Sequence, residues 1–169
     1  AANGGTDFID GFVQRIADEV TPLGASNVFT RTASVKDDVD DLIALVGATN
    51  SAVLSKDGNY IYMSIPNYMA LMKELRDDNN FHYQSGELES FKFVYPYSKV
   101  TIVGVDGLAG NNSLIFANKM NLMVGTDLVS DFEEVKFRYS EDNFEHRFHM
   151  NFRLGTQIAV PAEIFAANP

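Results

Sequence analysis

Period-two alternation through the last third of the chain restricts its possible folds more than any other feature. Val135, Phe137 and Tyr139 alternate with Lys136 and Arg138; beyond Glu141-Asp142-Asn143, the residues Phe144, Phe148, Met150 and Phe152 alternate with Glu145, Arg147, Asn151 and Arg153. Successive side chains of a strand point to opposite faces, so this pattern predicts a long antiparallel ribbon from about Glu133 to Arg153, turning at Glu141 to Asn143. A two-stranded ribbon alone is marginal in water. Some further surface, in this domain or in a neighbouring subunit, is therefore expected to cover it.

Upstream the period changes to that of helices. Phe8, Ile9, Phe12, Val13, Ile16 and Val20 share a helical stripe, with Thr6 or Asp7 placed to cap it and Pro22 to end it. Val35, Val39, Leu42, Ile43 and Val46 form a second stripe, capped by Ser34 and stopped by Gly47, with Asp37, Asp38, Asp40 and Asp41 as its solvated polar face. After the turn Lys56-Asp57-Gly58-Asn59, Tyr60 to Met63 alternates as a strand, and Pro66 opens a third helix over Asn67 to Arg76. Asp77 to Ser90 is a long polar loop; Phe91 to Val105 is β-rich, with Pro96 as an edge or bulge marker and Val100 to Val103 as its buried half. Asp106-Gly107 is a turn, Leu114 to Ala117 and Leu122 to Val124 are short apolar strands, and a last strand from Gln157 to Val160 stops at Pro161. Grouped helices, a mixed middle and a terminal ribbon, without regular strand–helix alternation, predict an α+β fold.

Composition removes several function classes. The 169 residues make about one domain, and 46% apolar with 21% charged residues is a globular balance. Twenty-three acids against 13 bases give a net charge of −10, which repels a phosphate backbone and argues against nucleic-acid recognition. Without cysteine there is no disulfide framework, thiolate metal site or thiol nucleophile. No apolar run approaches the roughly 20 residues that span a bilayer. The opening Ala1-Ala2-Asn3-Gly4-Gly5 has neither an initiator methionine nor a signal-peptide pattern, and it reads as the start of a piece cut from something longer.

No catalytic constellation stands out. His146 and His149 lie three apart, which on a strand sends the rings to opposite sides, with His146 half-buried and His149 in solvent. Asp127, Asp131, Glu133 and Glu134 lack the ordered offsets of a calcium loop and read as a solvated face. Gly104, Gly107 and Gly110 precede no amphipathic helix, so they read as turn glycines, and Ser64 before Ile65-Pro66 reads as a helix cap. The 13 Phe and 7 Tyr could stack on sugars, but their spacing is that of core and interface positions. A metal-dependent hydrolase and a sugar-binding module are thus the readings from other classes; the expectation is no enzyme, no metal, no cofactor and no small-molecule substrate.

The run NKMNLMVGTDLVSDFEEVKFRYSEDNFEHRFHMNFRLGTQIAVPAEIF, Asn118 to Phe165, resembles the C-terminal end of tailed-phage major capsid proteins of the Hong Kong ninety-seven type. Val124-Gly125-Thr126-Asp127 stands where that family has a Gly-Thr-Asp-like segment before its ribbon, and Arg153-Leu154-Gly155 matches the step on the return strand. Tyr60 to Ser64 with the helix after Pro66 is similar to the strand and helix of the family's axial domain. The resemblance implies an axial-domain-like part over residues 1–125 and a peripheral part over 126–169; no N-terminal arm, extended loop or spine helix is recognisable.

It further implies a structural subunit of a phage or prophage capsid, made in the cytoplasm of a bacterial host and partnered by copies of itself in capsomers. An encapsulin-like compartment subunit shares the same architecture. Within that reading, Asn79, Asn80, His82 and Gln84 of the polar loop are expected at the axial contact, and Phe144, Phe148 and Phe152 of the ribbon against a neighbour.

Overall fold

The computed structural model describes residues 11–78, 91–96, 98–108, 110, 112–126, 135–140, 145–150 and 154–168. Its helices are α1 (Phe12–Glu19), α2 (Val35–Ser55) and α3 (Ile65–Asp77). The strands β1 (Val28–Thr30), β2 (Asn59–Ser64), β3 (Lys92–Val94), β4 (Thr101–Val105), β5 (Leu114–Asn118) and β10 (Phe165–Asn168) form one mixed sheet in the order β1-β10-β5-β2-β4-β3. Strands β6 (Leu122–Thr126) and β9 (Leu154–Ile158) pair antiparallel, as do β7 (Val135–Ser140) and β8 (Glu145–Met150). The class is α+β, and β7–β8 is the ribbon announced by the alternation; its turn and outer ends lie outside the described residues.

Strand alternation divides the sheet's two faces between two cores. Leu114 and Phe116 of β5 join Ile61, Met63 and Ile102 against Val39, Leu42 and Val46 of α2 and Tyr68, Leu71 and Leu75 of α3. Ile115 and Ala117 point the other way, to Ile16 and Val20 at α1 and to Ile158 and Ile164. Phe116 and Phe165 meet edge to face with centroids 6.0 Å apart, the arrangement favoured by ring quadrupoles.

Local chemistry sets the helix starts. Ser34 caps α2, its Oγ accepting from the Asp37 N–H at 3.2 Å, and Ser64 caps α3 through Asn67 N–H at 3.4 Å. Glu74 of α3 adds a cap from across the fold, accepting from the N–H of Lys36 at 2.8 Å, the N–H of Val35 at 3.3 Å and Ser34 Oγ at 3.0 Å. Free first-turn amides favour a carboxylate, so this contact ties α2 to α3.

Five expectations are corrected here. The first helix starts at Phe12 with Gly11 as a cap that makes no side-chain bond; Thr6, Asp7, Phe8 and Ile9 lie outside the described residues. The second helix passes Gly47, where an added Cβ would only touch Leu54 at 3.4 Å, and breaks instead at Asn50 (φ −152°, ψ 81°) before resuming to Ser55. It continues because Val53 extends the buried stripe of Val39, Leu42 and Val46, and Asn59 Nδ2 then donates to the carbonyls of Val53 and Lys56. Asp38 is not on a solvated face: it is fully buried and paired with Arg31 at 2.8 Å. Gly104 is no turn glycine but lies in β4 beneath Tyr68, where a Cβ would sit 3.2 Å from that side chain; this is what lets α3 pack closely on the sheet. The segment Val100 to Val103 is not buried throughout, since Thr101 and Val103 alternate out of the core occupied by Val100 and Ile102.

The chain end differs most. The last predicted strand is displaced to Leu154–Ile158, Pro161–Glu163 make a 3-10 turn, and Phe165–Asn168 then enter the sheet between β1, parallel, and β5, antiparallel. Asn27, buried, fixes that entry by donating from Nδ2 to Ile164 O at 2.8 Å and Ala162 O at 3.1 Å.

Candidate assembly surfaces

Of the residues expected to make assembly contacts, Asn79, Asn80, His82, Gln84, Phe144 and Phe152 lie outside the described residues, as do Asp127, Asp131, Glu133 and Glu134. Phe148 is in β8, with its Cα opposite that of Phe137. His146 is exposed, which corrects the half-buried reading: register sets it opposite Tyr139 near the turn end of the ribbon, the two rings 5.1 Å apart. Register pairs His149 with Lys136. Among the described residues no three His, Cys, Asp or Glu side chains converge as metal ligands, and no helix is long and apolar enough to cross a membrane.

Three surfaces emerge that the sequence reading did not single out. The first is the corner carried by the β6–β9 pair, where Met123 and Val124 on β6 and nearby Met120 and Val160 are 45%, 58%, 76% and 44% exposed. Exposed apolar side chains grouped in this way form a surface that another chain can cover. The corner that carries them is stiff, because Asn121 and Val160 bond reciprocally: Asn121 Nδ2 donates to Val160 O at 2.8 Å and Val160 N–H donates to Asn121 Oδ1 at 2.6 Å.

The second surface is the far half of the sheet face that α1 only partly covers. Register aligns Val94, Thr101 and Tyr60 in one row and Lys92, Val103 and Tyr62 in the next. Lys92 Nζ lies 5.3 Å from the centre of the Tyr60 ring, a cation–π contact at the rim.

The third is a groove of about 370 Å³ between α2, α3 and the β3–β4 turn. Ile43, Leu75 and Pro96 supply its apolar part, Asp40 and Lys36 its charges. Tyr95 OH donates to Asp40 Oδ1 at 2.8 Å, and the Lys36 ammonium is held by Asp78. Burial, reinforced by the bond to Asp40, pushes the Tyr95 hydroxyl well above its ordinary range, so it remains a donor.

That shift has a sign that can be tested. The folded state keeps the Tyr95 proton where the unfolded chain gives it up, so the unfolded state binds fewer protons above the ordinary tyrosine value of about 10. The contribution is complete below pH of about 10 and is lost as pH rises through the folded value. Urea midpoints measured from neutral to alkaline pH should fall less steeply for Tyr95→Phe than for the parent; identical slopes would contradict the assignment.

No protein-family model matches the sequence, and no curated protein does. Among solved structures, the crystal structure of a virus-like particle from Pyrococcus furiosus is similar, with a TM-score of 0.50 at 13% sequence identity. The match covers 91% of this chain but 59% of that one, so the present chain spans well under two thirds of its length. What the two chains share is a fold.

Proposed function

We propose that this chain is a structural subunit of a self-assembling protein shell, and more specifically of a tailed-phage or prophage capsid. The observation that carries this reading is the fold likeness to a virus-like particle chain over 91% of the present one. The exposed apolar side chains on and beside β6 support it, because such a patch favours association with further chains. On this reading the partners are copies of the same chain, the protein resides in the virion, and it performs no catalysis. The reading assigns an axial-like part to residues 1–125 and a peripheral-like part to 126–169, from which β10 returns to the main sheet.

Sedimentation velocity and negative-stain electron microscopy test the shell reading. Concentration-dependent oligomers, rings or sheets are the expected result; a chain that stays monomeric at every accessible concentration would overturn it. Gene neighbours test the finer assignment: portal, terminase and protease genes are expected alongside, whereas a cargo-enzyme gene would replace the phage capsid with an encapsulin-like compartment.

A further inference from the structure

We infer that the outward face of the β6–β9 pair packs on the same face of a second copy of this chain, each Met123 entering a hollow that the other copy makes with Gly125 and Gly155. The inference rests on the shell reading and adds a specific contact to it.

Register fixes which residues share that face. Met123 stands opposite Gln157 and Gly125 opposite Gly155, and strand alternation puts all four on one side of the pair. The other side carries Leu122 and Ile158, which pack into the core that holds Ile115 and Ile164. Met123 and its three companions therefore point away from the domain, and all four are exposed.

Nothing among the described residues requires glycine at either position of the cross-strand pair. Neither glycine has a positive φ, and a Cβ added to either meets no described atom within 4 Å. Glycine weakens a strand interior; where conformation does not call for it, its use is to let another backbone or side chain come close. Two glycines directly opposite each other make a flat hollow, and Met123 stands about 6.6 Å from it along the strand. Methionine is unbranched and adapts to the space it enters, which suits it to the part of a knob. A knob and a hollow side by side on one face are self-complementary. A two-fold axis passing between them seats each knob in the other copy's hollow at the same time.

Charge selects a second copy as the occupant. Leu122–Thr126 and Leu154–Ile158 contain no Asp, Glu, Lys or Arg, in a chain whose net charge is −10. Two such chains repel each other as wholes, and across this face they meet without setting like charges together or stripping water from an ion. A basic partner would find no carboxylate on these two strands to pair with.

Filling the hollow separates docking from folding. Gly155→Val introduces a residue suited to strands where there is open space, so its urea midpoint should equal or exceed the parent's. Its association, followed by sedimentation velocity, should be at least about tenfold weaker. Met123→Ala removes an exposed knob; it should weaken association to a similar degree with little change in the urea midpoint. Mixing the two variant chains should recover part of the parent's association, because the Met123 of one enters the open hollow of the other while the shortened residue faces the filled one. Either variant associating as the parent does, or a mixture no stronger than each variant alone, would overturn the contact and leave the shell reading intact. Should Gly155→Val lower the urea midpoint, Met123→Ala decides by the same criterion. A parent chain that never associates would overturn both.

Discussion

Removing Phe165–Pro169 is expected to abolish cooperative folding of the chain. Ile164, Phe165, Ala166 and Ala167 are all fully buried, and β10 is an interior strand bonded on both sides. Its loss strips β1 of its parallel neighbour and β5 of an antiparallel one, leaving two rows of backbone groups without partners. It also removes links at both ends of the strand: Arg31 N–H donates to Asn168 O at 2.8 Å and Ala166 N–H to Asn27 O at 2.9 Å. Truncating a buried phenylalanine alone costs about 3–5 kcal/mol, against a total stability of about 5–15 kcal/mol for a domain. With the ladder and both alanines lost as well, little margin is left. Circular dichroism with urea titration should show a broad, non-cooperative transition for the shortened chain. The full-length Phe165→Ala variant should keep a single transition with a midpoint lowered by about 6–20 °C. A sharp transition in the shortened chain would mean that β1 and β5 close on each other without β10.

The same strand marks where the sequence stops being readable. Ser34, Ser64 and the alternation in 135–150 act through neighbours a few residues away, and each is found in the structure as the local pattern predicts. Strand β10 has no such pattern: a strand buried on both faces does not alternate, and four apolar residues after Pro161 are too few to distinguish from a chain end. Gly47 looks like a helix stop because a stop is what glycine most often means near a C-terminus; the buried stripe through Val53 outweighs it. The groove is invisible for another reason. Asp40 and Tyr95 are 55 residues apart, and nothing in either segment names the other. Asp38 was hidden by its company, since three neighbouring aspartates make a solvated face the natural reading of the fourth. The exposed pair Met123 and Val124 is legible as strand but not as surface, because apolar character alone does not tell burial from interface.

Arg31→Ala is expected to destabilise the fold by about 3–5 kcal/mol, because it leaves a fully buried carboxylate without its counter-ion. The Arg31 side chain is 8% exposed and its Nε donates to Asp38 Oδ2 at 2.8 Å, while its Nη1 donates to the carbonyl of Asn112. The other oxygen of Asp38 accepts from the N–H of Thr32 at 2.7 Å and from its hydroxyl at 2.8 Å. One ion pair thus joins the end of β1, the start of α2 and the loop before β5. The pair is costly to break but not necessarily favourable to have, since two charges had to leave water to form it. Replacing both, as Arg31→Met with Asp38→Leu, removes the stranded charge, and Thr32, which is exposed, can turn to water for its lost acceptor. The double variant should therefore lie closer to the parent than Arg31→Ala does, and the two single changes should be strongly non-additive. Urea midpoints of the four chains give the coupling directly. A loss below about 1 kcal/mol for Arg31→Ala would mean that water reaches Asp38 once the guanidinium is gone, and the pair would then be holding the three segments together without bearing a buried charge.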